Sequence, residues 1–214
     1  MQGLRDLEEK IEYVFKDKGL LEIAMTHSSY AYEKGIQSYE RLEFLGDAVL
    51  NFIVAVEIFR SNPDKDEHFL TDLKSAYVNR DYLHHLGKTL ELDKILRYSG
   101  PSDIRLDQAV EALIGAIYLD GGYRYSKRFI KEHILNKEIK PLKDYKGLVK
   151  TMSIRKFNKD VVYSVKKEFG PAHMKTFQIV ARIPGENLSA TATGKTKKKA
   201  EMKASKILLK KMGL

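Results

Sequence analysis

Residues 39–59, YERLEFLGDAVLNFIVAVEIF, are apolar around nearly the whole helical circumference, which assigns this segment to the interior of a helical domain. Acids interrupt it. Glu43 and Asp47 are related as i and i+4, so they share one face, one turn apart along the helix and about 40° apart around it. Burying two like charges is costly unless something positive meets them. The nearby basic residue, Arg41, lies roughly 200° from Glu43 around the axis, so the compensating charge must come from elsewhere. Oxygen ligands of this kind suit Mg2+ or Mn2+, ions that keep waters able to act on a phosphate.

A second segment, LDQAVEALIGAIYLDGG (106–122), repeats the anomaly, with Glu111 set among Ala, Val, Leu and Ile. Its Ala112 and Gly115 allow another helix to approach closely. Two core helices that each carry inward acids can build a metal cluster, as helical bundles do. Taken singly, each acid also has a plain reading: Glu43 in a salt bridge, Glu111 reaching the surface.

The 214-residue chain has no cysteine, which excludes disulfides and thiolate metal sites and leaves the chemistry to oxygen and imidazole groups. Residues 1–144 carry 21 Lys+Arg against 25 Asp+Glu, a net of −4, whereas residues 145–214 carry 17 against 4, a net of +13. A basic half of this kind points to a polyanionic partner such as nucleic acid. The hydrophobic pattern changes at the same place. From Leu4 to about Asn136 it is helical, with breaks near Gly19, Gly35, Pro63, Gly87, Gly100 and Gly121. After it, YKGLVKTMSIRKF (145–157) reads as a helix, DVVYSVKKEF, KTFQIVARI and NLSATAT alternate as strands, and TKKKAEMKASKILLKKM returns to a helix. The expected fold is an all-α domain over 1–138, a linker at 139–143, and a small α+β domain of α-β-β-β-α order over 144–214. The N-terminus lacks the basic start and apolar core of a signal peptide, and no run approaches a membrane span, so a cytoplasmic protein with no membrane partner is expected.

ERLEFLGDAVL (40–50) resembles the signature segment of the ribonuclease III family. AMTHSSYAYE (24–33), FLTDLKSAYVN (69–79) and VEALIGAIYLDGG (110–122) resemble that family's neighbouring segments in the same order. GPAHMKTF (170–177) and GKTKKKAE (194–201) resemble the loop and helix start of its double-stranded-RNA-binding domain. The resemblance spans essentially the whole chain. It implies a homodimeric endoribonuclease that hydrolyses double-stranded RNA to 5′-phosphate products with short 3′ overhangs, in ribosomal or messenger RNA processing. It implies Glu43, Asp47 and Glu111 as ligands of Mg2+, with Mn2+ as a substitute, and Asp47 and Glu111 as the catalytic pair. Glu40 matches a further acid near the scissile strand, His173 the loop that enters the minor groove, and Lys195, Lys197 and Lys198 the phosphate contacts, with Thr196 as helix cap. Phe44 matches an aromatic that packs into a pocket of the partner subunit.

One position departs from the family pattern. The usual motif has an Asp three residues before the second acid, and this chain has Gln108 there, with Asp107 one place earlier. Gln108 can offer a neutral carbonyl oxygen to an ion but removes a full charge; Asp107 is a substitute ligand if the helix turns it inward. A second reading follows from this departure: a duplex-binding scaffold of the same fold with a weakened or inactive centre.

Overall fold

The protein is described by a computed structural model that covers residues 2–100, 104–137, 139, 144–171 and 174–213. The chain divides into two compact units, Met1–Leu142 and Lys143–Leu214. Of the expected linker at 139–143, only Ile139 falls within the described residues.

The first unit is helical: α1 (Gln2–Lys10), α2 (Lys18–Ala24), α3 (Ser28–Lys34), α4 (Glu40–Ser61), α5 (Glu67–Val78), α6 (Arg80–Thr89), a 3-10 turn (Leu92–Lys94), α7 (Leu106–Gly121) and α8 (Tyr123–His133). Short polar side chains start several of these helices by accepting a free first-turn N–H: Asp17 from Gly19, Asp66 from Phe69 and Asn79 from Tyr82. α7 is the central element. Leu106, Asp107, Ala109, Val110, Ala112 and every residue from Leu113 to Ile117 are buried, the pattern of a helix covered on all sides.

α4 lies against α7 at backbone distance, and glycines make this approach. A Cβ at Gly46 would sit 1.7 Å from the carbonyl oxygen of Glu111, and one at Gly115 would sit 2.2 Å from that of Leu42. The residue pair Gly46–Gly115 therefore does for these helices what no alanine could do. Leu42, Val49, Leu50, Ile53, Val54 and Ile58 form the buried stripe of α4. The remaining apolar positions of this helix correct the expectation that it is buried on nearly every face, because Phe44, Phe52 and Phe59 point to solvent in the protomer.

The second unit contains α9 (Tyr145–Phe157), β1 (Val162–Phe169), β2 (Thr176–Arg182), β3 (Ser189–Gly194) and α10 (Lys197–Lys211). The strands form one antiparallel sheet in the order β1-β2-β3, with Val162 opposite Arg182 and Phe177 opposite Gly194, and a bulge between Val165 and Lys167. Val149, Ala181, Ile183, Ala190, Ala204 and Leu208 close its core. Both units thus have the expected fold. Among the described residues no helix is long and apolar enough to cross a membrane.

Because the atom facing Gly46 is main chain, it cannot rotate away from an added methyl group. Gly46→Ala is expected to destabilise the protein by about 3 kcal/mol or more, at the upper end of overpacking costs. Urea denaturation of the two proteins followed by circular dichroism measures this, and equal midpoints would contradict the close-packed helix pair.

Candidate active site

The Gly46–Gly115 contact decides where the acids go. Glu43 and Asp47 flank Gly46 by three residues and one residue, and the atom against Gly46 belongs to Glu111, so the acidic face of α4 is brought to the acid of α7. Asp47 is exposed, while Glu43 and Glu111 are half-buried. Burial, followed by the negative charges of Asp47, Glu43 and Asp107, pushes the Glu111 carboxyl from the ordinary 4.5 up to about 7. Burial also raises Glu43, against a lowering hydrogen bond from Gln108.

Another acid of α4 shows what this protein does when it compensates an acid internally. The Glu57 side chain is only 12% exposed and meets Lys127 at 2.8 Å, Lys131 at 3.5 Å and Arg60 at 3.8 Å. Lys127 is the main cause of its lowered pKa. Among the described residues no such ion pairs meet Glu111. Arg105 reaches it electrostatically, but its guanidinium is committed to Asp107: Nη2 lies 2.5 Å from Oδ2, and Nε lies 3.2 Å from both carboxylate oxygens.

Among the described residues, no three His, Asp or Glu side chains stand gathered as a ready-made ion cage. The acids are neighbours with other hydrogen-bond partners. Asn51 donates through Nδ2 to Asp47 Oδ1 at 2.8 Å. Gln108 donates through Nε2 to Glu43 Oε1 at 2.6 Å, and its Oε1 accepts from the Tyr39 hydroxyl at 3.2 Å. The carbonyl expected as a neutral ligand is therefore turned to Tyr39, and the amide N–H faces the acids. Asp107, considered as a substitute ligand, is buried in its pairing with Arg105, and Arg80 Nε adds a contact at 3.8 Å. The donor set that remains, three carboxylates with unbalanced charge, fits a hard divalent cation in its chemistry.

Glu40 occupies the exposed first turn of α4 and accepts from Ser38 Oγ at 2.9 Å. Phe44, which follows Glu43, is 81% exposed, so it does not pack within its own subunit. It borders a cleft of about 870 Å³ formed with Leu20, Ile23, Leu42, Leu45 and Leu119. In the second unit, Thr196 caps α10 by accepting from Lys199 N–H at 3.1 Å. Lys195, Lys197 and Lys198 are exposed around that helix start, and Lys197 also lies over the Phe177 ring. His173 falls outside the described residues. Tyr39 and Arg105 were not singled out by the sequence. Tyr39 reads as one more apolar position ahead of α4, although its place one turn before Glu43 was a signal.

A helical domain whose two central helices bring acids together, followed in sequence by a basic α-β-β-β-α unit, defines a class of RNA-directed nuclease. The family description "Ribonuclease-III-like" matches residues 17–138, and "Double-stranded RNA binding motif" matches residues 145–212. The chain is 34% identical to Ribonuclease 3 of Aquifex aeolicus over 98% of its own length and 97% of that protein's. It is 36% identical to Ribonuclease 3 of Carboxydothermus hydrogenoformans, covering 96% of this chain and 94% of the relative. A crystal structure of the nuclease domain of ribonuclease III from Campylobacter jejuni superposes with a TM-score of 0.56 at 34% identity, over 62% of this chain and 96% of that one. Another structure of that domain, with a TM-score of 0.55 at 34% identity over 60% of this chain and 96% of that one, is described for flexibility in a region involved in dimer formation. The chain belongs to the ribonuclease III family: it is an endoribonuclease that carries a double-stranded-RNA-binding motif. This favours the nuclease reading of the sequence over the scaffold reading.

The raised pKa of Glu111 ties stability to pH. The folded chain binds this proton more tightly than the unfolded chain, so the contribution is fully present below about 4.5 and is lost as pH rises through about 7. The metal-free protein is expected to lose stability over that window, and Glu111→Gln is expected to flatten the loss. Chemical denaturation at pH 5 and pH 8 checks this; identical slopes for both proteins would refute it.

Proposed function

We propose that the chain cleaves double-stranded RNA with the help of Mg2+, for which Mn2+ can substitute, held by Glu43, Asp47 and Glu111. The observation that carries this reading is the contrast within one domain between Glu57, met by three protein cations, and Glu111, whose carboxyl is pushed up to about 7 by burial and then by three neighbouring acids. An ion bound there would polarise a phosphoryl oxygen and make its water a better nucleophile. Asp47 is exposed and would meet an arriving phosphodiester, while half-buried Glu111 would anchor the centre from the core helix. No covalent nucleophile is needed. In this reading the products carry 5′-phosphates and short 3′ overhangs, and the substrates are ribosomal or messenger RNA precursors in the cytoplasm.

Duplex RNA is bound largely by shape and charge. Lys195, Lys197 and Lys198 would meet phosphates across the major groove, and the capped start of α10 would turn its free amides toward them. His173 would enter the minor groove. Glu40, exposed beside the acid face, would line the path of the scissile strand.

The active form in this proposal is a homodimer. An exposed Phe44 at the edge of an apolar cleft is a poor surface for a monomer and a good one for a two-fold contact. Phe44→Ala is expected to weaken self-association by about 2 kcal/mol, the scale of an interface hot spot. Sedimentation velocity over a concentration series measures it, and a wild type that stays monomeric at micromolar concentration would refute the dimer.

Asp47→Asn and Glu111→Gln are each expected to lower cleavage of a long RNA duplex by roughly three orders of magnitude, the equivalent of about 4 kcal/mol of transition-state stabilisation. Binding of the same duplex in a gel-shift assay should stay within a few-fold of wild type. Cleavage that survives both substitutions would overturn this assignment.

A further inference from the structure

The residue that departs from the family motif also hydrogen-bonds α7 to α4 through side chains. Gln108 is hydrogen-bonded at both ends of its amide, to Glu43 on one side and to Tyr39 on the other. We propose that Tyr39 and Gln108 form a positioning strut for Glu43, in which the phenol fixes the amide so that Gln108 meets the acid cluster as a hydrogen-bond donor rather than as a metal ligand. The inference rests on the metal-centre reading above and adds to it a role for two residues outside the carboxylate set.

The orientation follows from donor and acceptor counting. An amide offers an acceptor oxygen on one side and two N–H donors on the other, and a carboxylate only accepts. Turning the Gln108 amide over would set its oxygen against Glu43 Oε1, where the nitrogen now sits at 2.6 Å. Two acceptors would then face each other, and the hydrogen bond to Glu43 would be lost. The observed arrangement satisfies all three groups.

Tyr39 is built to hold this arrangement. It is 2% exposed, its ring meets His27 edge-on with centroids 5.6 Å apart, and its backbone N–H donates to the Thr26 carbonyl at 2.9 Å. Its own carbonyl accepts the Glu43 N–H at 2.8 Å, so one residue grips Glu43 through the main chain directly and through Gln108 at the carboxylate. The amide hydrogen bond at Oε1 fixes how the Glu43 carboxylate is presented to an ion. The strut restores by hydrogen bonding part of the order that a fourth acid would have imposed by charge, and Arg105 meanwhile keeps Asp107 out of the set.

The test is Mn2+ binding to the RNA-free full-length protein, read by electron paramagnetic resonance of the free ion, with thermal melts as a check on folding. Tyr39→Phe and Gln108→Met should each weaken Mn2+ binding by about tenfold, the usual scale for partners that orient a ligand. The double variant should be no weaker than either single one, because both break the same strut. Wild-type melting with weakened binding separates positioning from a general structural role. If Tyr39→Phe leaves Mn2+ affinity unchanged or tightens it, as it would by freeing the Gln108 carbonyl to act as a ligand, the strut is wrong. Glu111→Gln separates this failure from that of the metal reading: if it weakens Mn2+ binding, the metal centre stands whatever Tyr39 does. If Glu111→Gln binds Mn2+ as wild type does, or wild type does not bind it, the metal centre and the strut fall together.

Discussion

The contact between the backbones of α4 and α7 is the constraint on which the rest of the first unit depends. Gly46 and Gly115 remove the side chains that would hold the two helices at an ordinary interaxial distance, and each glycine then lies against a main-chain oxygen of the other helix. The consequence is chemical as well as mechanical. Glu43 and Asp47 sit on either side of Gly46, and Glu111 supplies the carbonyl against it, so a packing contact between small residues also gathers the acids.

That gathering has an electrostatic cost which the fold leaves open. Glu8 and Glu57, two other largely buried acids of the domain, are met by lysines, Glu8 by Lys18 at 2.6 Å and Glu57 by Lys127 at 2.8 Å. At Glu111 burial and like charge act together, and the carboxyl is held at about 7. Arg105 could relieve it but is bonded to Asp107. An active site differs from a structural ion pair in this respect: its charge is arranged to be completed by something that arrives. In an endoribonuclease of this family, the proposed arrival is a divalent ion followed by the phosphodiester.

Much of this was legible in the sequence because it is periodic or local. Helical spacing up to about Asn136, three strands after it, and the i, i+4 relation of Glu43 and Asp47 follow from repeats of 3.6 and 2 residues, and the structure forms these elements, although β1 is exposed along nearly its whole length and does not alternate in burial. Thr196 as the cap of α10 was legible because capping is a local hydrogen bond. The exposure of Phe44, Phe52 and Phe59 was not, because periodicity cannot tell a face covered by the same chain from one that is not. The direction of the Gln108 amide was hidden for a similar reason. It depends on Tyr39, 69 residues away in sequence, and on a contact that exists only once α4 and α7 have packed. Asp107 was weighed as a ligand from its helical angle alone, and its pairing with Arg105, two residues before it, decides otherwise.

If a divalent cation completes the acid cluster, as proposed, its binding must release protons. The raised pKa leaves part of the metal-free Glu111 carboxyl protonated at pH 7, so a cation that takes it as a ligand must expel that proton. Calorimetric titration of Mg2+ into the RNA-free protein, repeated in buffers of different ionisation enthalpy, counts the protons released. Proton release is expected on Mg2+ binding at pH 7 and almost none at pH 9, with the release abolished in Glu111→Gln. Tight Mg2+ binding with no proton release at pH 7, or with release unchanged in Glu111→Gln, would contradict it.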